Sequence, residues 1–203
     1  MKPFVRPTID IAVFRDADGD VIDYGRRWWP TGDEGPDDTY SVTLHPERFA
    51  PLRVVAEALV EHLERTYDLT RSTFGDDIHL VPAHEEAAPL VFRSVSSSPV
   101  TCTAGIATDI AWFCPCDHCD EDLMVAIDRL EREVAMVAGG RLREWLEETD
   151  DGWWVRHRFV TTDDDDDSHG SSTRVARDQE AHQQEVFRTV PFRWAPWPLR
   201  ADS

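Results

Sequence analysis

Residues 120–140 read DEDLMVAIDRLEREVAMVAGG and form the most regular segment of the chain. Its apolar side chains recur at steps of three or four residues, the spacing that places them on one face of an α-helix. Two glycines, Gly139 and Gly140, follow the pattern and are typical of a helix end. The segment therefore predicts a helix over Asp120–Ala138, whose buried stripe would consist of Leu123, Ile127, Leu130, Val134 and Val137.

Directly ahead of this helix, residues 113–122 read FCPCDHCDED and carry three of the four cysteines of the chain. Cys114, Cys116 and Cys119 have the spacing C-x-C-x-x-C, which brings thiols together within one turn at little expense of chain entropy. Converging thiolates are typical ligands of structural zinc. We therefore expect these three cysteines to bind a structural zinc ion.

This spacing supplies one arm of a zinc site, and a tetrahedral site needs a fourth ligand from elsewhere. Cys102, on a predicted strand just before the cluster, is the first candidate. His118 lies within the cluster, but its side chain is expected to point away if the cysteines on either side converge. Three more distant histidines are further candidates: His79, His84 and His157.

Two other interpretations of the cluster remain open. In the first, Cys116 and Cys119 are the C-x-x-C pair of a dithiol oxidoreductase, since an apolar segment precedes them and a helix follows. The neighbouring acidic residues argue against this interpretation because negative charge disfavours a thiolate. In the second, the cysteines are buried and reduced without a metal, and Asp117 or Asp120 caps the helix.

The remaining patterns predict a single α+β domain over residues 1–203. A second amphipathic helix is expected over Pro46–Tyr67, with a proline suited to its first turn. Residues 68–81, 90–106 and 141–160 have strand-like patterning, and Thr8–Phe14 alternates as a half-buried strand does. We expect a mixed or antiparallel sheet with the two helices packed on one face.

The C-terminal region departs from regular patterns. Residues 161–173 include five consecutive aspartates, and their mutual repulsion predicts a mobile acidic loop. The tail over residues 190–200, VPFRWAPWPLR, contains three prolines and cannot form a regular helix. We expect it to run extended over the body of the domain, with Trp194 and Trp197 as anchors.

The charge of the chain limits its partners. Its 40 acidic and 21 basic residues give a formal charge of −19, which repels a nucleic-acid backbone and favours a basic protein partner. No run of about 18 apolar residues is present, so no membrane span is expected. Asp10 interrupts the apolar residues that a signal peptide needs, which predicts a cytoplasmic protein.

No phosphate-binding glycine loop, G-x-S-x-G elbow or H-E-x-x-H helix occurs in the sequence. The sequence therefore favours a small, non-catalytic, acidic protein that acts through protein–protein interaction and carries a structural zinc. The alternative is an enzyme, either a dithiol oxidoreductase or a metal-dependent one, that uses the same cysteine cluster.

Several segments resemble an uncharacterised family of actinobacterial proteins that share a domain of unknown function. The family pattern is C-x-C-D-x-C-D-E, which Cys114–Glu121 matches with Pro115 in place of a glycine, while Cys102 lies outside it. The resemblance implies that the cysteine cluster is a defining feature of the family, and it implies no activity. The segments that carry it are Tyr40–Leu52, Ala88–Phe92, Cys114–Asp122 and Trp194–Pro198.

Overall fold

The structure, a computed structural model, describes residues 3–28, 35–93, 100–106, 108–110, 113–161 and 168–201. Within these ranges it contains three α-helices and two antiparallel sheets, one of five strands and one of three. The predicted α+β class is therefore confirmed, with two separate sheets instead of one. No helix within the described ranges has the length and apolar character needed to cross a membrane.

The first sheet is a meander, in which strands adjacent along the chain are also hydrogen-bonded neighbours. The alternation of side chains decides which face is buried. In the third and fourth strands, Leu90 lies opposite Ala104 and Phe92 opposite Cys102, and all four side chains are buried. The five strands, β1 to β5, are Leu69–Phe74, Asp77–Pro82, Leu90–Arg93, Thr101–Ala104 and Thr108–Ile110.

The second sheet contains β6 (Leu142–Thr149), β7 (Gly152–Val160) and β8 (Ser168–Arg174). The strand-like patterning predicted over residues 141–160 is confirmed by β6 and β7, which pair around a tight turn with Thr149 opposite Gly152. Of the acidic loop predicted over residues 161–173, residues 162–167 lie outside the described residues. The structure places the rest of that segment, from Ser168 onward, in β8.

Helix α1 spans Pro51–Thr66 and is shorter than the predicted helix Pro46–Tyr67. Residues Pro46–Phe49 form a 3-10 turn. Pro51 has no N–H with which to continue that turn, so it becomes the first residue of the α-helix instead. The prediction therefore had the correct segment but missed the break that the second proline imposes.

Helix α2 spans Leu123–Ala138 and begins three residues later than predicted, after a sharp turn at Asp120. A short third helix, α3 (Glu180–Phe187), has no buried side chain. Helices α1 and α2 contact each other, and α2 also contacts β5. Their buried faces form one core with both sheets, as shown by fully buried Leu80, Leu90, Leu142 and Phe159.

The C-terminal tail wraps over the domain as predicted, and Trp194 and Trp197 are both buried. The indole Nε1 of Trp194 donates to Oε2 of Glu144, a buried carboxylate in β6, over 2.7 Å. The indole Nε1 of Trp197 donates to the carbonyl oxygen of Ala88, just before β3, over 2.8 Å. The tail therefore fastens the second sheet to the first, and each buried indole N–H has an acceptor.

Candidate metal centre

The three clustered cysteines converge in the turn that precedes α2. The Sγ atoms of Cys114, Cys116 and Cys119 all lie within 4.8 Å of one another, and those of Cys114 and Cys116 are 3.0 Å apart. With Zn–S bonds of about 2.3 Å, tetrahedral ligand sulfurs are separated by about 3.8 Å. Small side-chain rotations would bring the three sulfurs to that spacing. The cluster can therefore hold a metal ion.

The cluster opens toward the surface of the protein. Cys116 is buried, Cys114 is half-buried and Cys119 is exposed. All three are free cysteines with no disulfide among them. An ion bound here would be fixed from the protein side and approachable from solvent past Cys119.

Asp117, which follows the second cysteine, holds the turn against the N-terminal half of the chain. Its side chain is 1% exposed, and its Oδ2 accepts a hydrogen bond from the N–H of Leu44 over 3.0 Å. Its Oδ1 lies 3.2 Å from Nη1 of Arg27 and 3.4 Å from Nη1 of Arg48. The indole Nε1 of Trp28 donates to the Asp117 carbonyl oxygen over 3.0 Å. Two guanidinium groups and a backbone N–H thus compensate the burial of this carboxylate.

Asp120 makes the sharp turn that ends the cysteine segment. Its φ of +48° lies in the left-handed region, which Asp tolerates better than most residues. Its Oδ2 accepts hydrogen bonds from the N–H of Gly25 over 3.0 Å and from the N–H of Arg27 over 2.7 Å. Burial raises the pKa of the Asp120 carboxyl, and these two N–H groups oppose that rise. Asp120 therefore binds the same N-terminal segment as Asp117.

The residue that caps α2 is Asp122, whose Oδ1 accepts a hydrogen bond from the N–H of Val125 over 2.9 Å. The expectation that Asp117 or Asp120 would be the cap is wrong. Asp120 has a positive φ, and the backbone of Asp122 is extended, with φ −78° and ψ 134°, so α2 begins at Leu123. Asp117 and Asp120 bind the N-terminal segment instead and hold the cysteine turn in place.

Glu121 fixes the first cysteine. Its Oε2 accepts a hydrogen bond from the N–H of Cys114 over 3.1 Å, and its Oε1 forms an ion pair with Nη1 of Arg129 at 2.9 Å, without hydrogen-bond alignment. The acids nearest the thiols are thus bound to cations or N–H groups of the fold. Their charge opposes thiolate formation less than the sequence suggests.

The thiols differ in how readily they ionise. Burial raises the pKa of Cys116, but contacts with the other two thiols and with the N–H groups of Cys119 and Ser41 outweigh it and lower that pKa to about 7. Burial and contacts with the thiols of Cys114 and Cys116 raise the pKa of Cys119 to about 12. Cys116 is therefore the thiol that ionises more readily of the two.

The candidate fourth ligands lie elsewhere. Cys102 is in β4 within the apolar core, and burial raises the pKa of its thiol well above the ordinary value. Among the described residues, neither Cys102 nor His118 belongs to the group of mutually close ligand atoms. The Nδ1 of His118 lies 3.2 Å from the carbonyl oxygen of Pro36, and its ring packs edge-on against Tyr40. His118 thus holds the cysteine turn against the segment that begins at Pro36.

The three distant histidines contact other parts of the fold. His79 in β2 packs edge-on against Phe74, and Nδ1 of His84 accepts a hydrogen bond from the N–H of Glu86 over 3.1 Å. His157 in β7 packs near Phe159, on the second sheet. The structure brings together only the three clustered cysteines of the predicted ligands within its described part.

His157 gives a prediction for the dependence of stability on pH. Burial lowers its pKa, an effect that His169 adds to and that Glu133 and Asp109 oppose. In the unfolded chain its pKa returns to about 6.5, so below that pH the unfolded state binds a proton that the folded state does not. We expect the free energy of unfolding to fall as the pH drops from about 7.5 to about 6, above the range of ordinary carboxylates.

Urea unfolding of a His157→Gln variant at the same two pH values tests this expectation. The difference between the two pH values should become smaller in the variant and should stay as in the wild type in a His182→Gln control, where the histidine is exposed on α3. An undiminished difference in His157→Gln would assign the pH dependence to other groups.

No direct sign in the sequence marks the residues outside the cysteine turn that hold it in place. Arg48 lies in the first turn of the predicted helix Pro46–Tyr67, yet its guanidinium lies 4.0 Å from the ring centroid of Tyr24 and 4.6 Å from that of Phe49. Arg27 lies in a loop segment with no regular pattern. The available hint was that Arg27 and Arg48 both have apolar neighbours in a chain with fewer basic than acidic residues.

Comparison with known protein families gives one match over nearly the whole chain. The model described as "Family of unknown function (DUF6226)" matches residues 10–201. No curated protein and no solved structure matches the chain. The family description carries no activity, so any function has to be argued from the geometry of the site.

Proposed function

The chain belongs to DUF6226, a family of unknown function, and we propose that it is a non-catalytic cytoplasmic protein that binds a structural zinc in its cysteine turn and acts by binding a protein partner. The observation that carries the zinc proposal is the convergence of the sulfurs of Cys114, Cys116 and Cys119 within 4.8 Å. Thiolates are soft ligands, which favour zinc over the hard cations calcium and magnesium.

The way the turn is fixed supports a structural role for the ion. Asp117 and Asp120 are both buried, and each binds the segment around Arg27. A metal ion bound by the three sulfurs would fix the cysteine side chains of the same turn, while the two aspartate carboxylates hold the turn against the N-terminal segment. The site would thereby join the N-terminal half of the chain to the start of α2.

Metal analysis of protein purified without chelator tests the proposal. We expect about one zinc per chain, as one tetrahedral site requires, with the three clustered thiols protected from a thiol reagent until the metal is removed. A Cys102→Ala variant tests the fourth ligand, since it should keep its zinc if the ion relies on the cluster alone. Protein without metal and with freely reactive thiols at all three positions would contradict the zinc proposal.

The partner proposal rests on the charge of −19, which favours association with a basic surface. We expect captured partner protein to be released as the salt concentration rises from about 0.05 to 0.5 M, because screening shortens the range of the attraction. A variant with serine at the five aspartates of residues 163–167 has a charge of −14, five units closer to zero, and should bind more weakly. Binding that is indifferent to salt would contradict an electrostatic partner surface.

A dithiol oxidoreductase is the second candidate, and the lowered pKa of Cys116, about 7, is the observation that favours it. In that reaction Cys116 and Cys119 would give two electrons and two protons to an oxidant and form a disulfide. Metal-free protein in which this disulfide forms and is reduced reversibly would favour the enzyme. A stable zinc complex would favour the structural site.

A further inference from the structure

A cavity of about 410 Å³ lies where the end of α2 and the C-terminal tail meet the start of β6. Its volume falls within the usual range for small-molecule sites, about 300–1,000 Å³. Three arginines line it, Arg141, Arg143 and Arg193, and no acidic residue of the described part of the chain does. The protein has 40 acidic and 21 basic residues, so its composition does not account for this lining.

The register of the second sheet places a row of arginines across the strands beside the cavity. Arg143 in β6 lies opposite Arg158 in β7, and an isolated bridge on the other edge of β6 places Arg143 opposite Arg193 of the tail. Directly opposite residues have their side chains on the same face of a sheet, with Cβ atoms about 4.5–5.5 Å apart. This face points away from the core, because the neighbouring pair, Leu142 and Phe159, is buried.

The two ends of this row have no counter-charge among the described residues. Arg158 and Arg193 are exposed, and neither side chain forms an ion pair or a hydrogen bond with a described residue. Like charges directly opposite one another on a sheet are destabilising. An anion bound beside the row would replace that repulsion with attraction to each guanidinium group.

We propose that the cavity binds a small phosphorylated organic molecule, with Arg143 and Arg193 as the residues that hold its phosphate. A guanidinium group offers paired N–H donors that match the spacing of phosphate oxygens. A phosphate monoester has a charge of about −1.5 to −2 at pH 7 and three acceptor oxygens, so it can bind two guanidinium groups at once, whereas a carboxylate has a single charge. The apolar lining that would contact the organic part consists of Val160, Trp194, Ala195 and Pro196.

The net charge of −19 favours a compact anion over an extended one. A nucleic-acid strand would meet the repulsion of the protein along its whole length. At physiological salt the repulsion from distant acids is screened over about 8 Å, whereas the arginines act at hydrogen-bond distance. A single phosphorylated molecule inside the cavity therefore gains the arginine contacts without placing further negative charge elsewhere on the protein.

Calorimetric titration with ribose 5-phosphate, ADP and adenosine tests the proposal. We expect saturable 1:1 binding of ribose 5-phosphate or ADP, and the tighter of the two identifies a sugar phosphate or a nucleotide as the better ligand. Adenosine has no phosphate and should bind at least tenfold more weakly than ADP, because it makes no charge-assisted hydrogen bonds with the arginines. Adenosine binding as tight as that of ADP, or no saturation by either phosphorylated compound up to about 10 mM, would overturn the proposal.

An Arg193→Gln variant tests the location of binding. Arg193 is exposed and has no described counter-charge, so the variant should fold with an unchanged Tm in the absence of ligand. Arg53→Gln is the matched control, because it removes the same charge from an exposed position on α1 that does not line the cavity. We expect about a tenfold or greater loss of affinity for the phosphorylated compound in Arg193→Gln alone. Equal affinities in the two variants would place any binding elsewhere and overturn the proposal.

Discussion

Removing the metal is expected to lower the free energy of unfolding by several kcal/mol. The sulfurs of Cys114, Cys116 and Cys119 converge only in the folded turn, so zinc would bind the folded state and its binding energy would add to folding. A ligand present at about 1,000 times its Kd stabilises a protein by about 4 kcal/mol. Urea unfolding with excess zinc and with a chelator measures the difference.

A Cys116→Ser variant separates the metal from ordinary packing. With zinc present it should lose most of the metal's contribution, because one thiolate is gone. With chelator it should differ from the wild type by less than about 1 kcal/mol, the effect of a small substitution in a packed turn. Equal losses in both conditions would mean that Cys116 contributes through packing alone. If the chelator does not change the free energy of unfolding of the wild type, the turn is stable without any metal and the prediction is wrong.

The parts of this fold that could be predicted are those set by local spacing. The stripe of α2 and the C-x-C-x-x-C turn each depend on residues a few positions apart, and both are found in the structure. The anchors of the tail could also be predicted, because large indoles among prolines have few options other than burial. In each case, residues a few positions apart in the sequence are enough to predict the local structure.

The structure of Thr8–Phe14, in contrast, depends on more distant parts of the chain. Ile11 and Val13 alternate as in a strand, yet both are exposed, and the neighbouring contact is an isolated bridge between Arg15 and Val21. Alternation predicts a strand only where a sheet edge is available to pair with it. Sequence periodicity does not report whether such an edge exists.

The residues that hold the cysteine turn in place could not be predicted, for a different reason. Arg48 and Asp117 are 69 positions apart, and in a chain with 61 charged residues nothing distinguishes a buried charge from a solvated one. Only the fold shows that these two side chains are 3% and 1% exposed. The residues that make the turn rigid were therefore the least visible in the sequence, although they lie beside its clearest motif.

Replacing Asp117 with asparagine is expected to destabilise the protein by about 3–5 kcal/mol, because it leaves the buried guanidinium of Arg48 without its counter-charge. Asparagine keeps the size of the side chain, so the loss would report charge and not volume. Glu57→Gln is the control: its ion pair with Arg53 is exposed, with both side chains 60% accessible, and should contribute less than about 1 kcal/mol.

A double-mutant cycle with Arg48→Met identifies the partner of Asp117. If the two charges compensate each other, Asp117→Asn with Arg48→Met should be more stable than the sum of the two single losses implies, because no unpaired charge then remains buried from this pair. Arg27 still faces position 117 in the double variant, so a residual loss is expected. Additive losses would show that Asp117 holds the turn through its other partners, Arg27 and the N–H of Leu44, and not through Arg48.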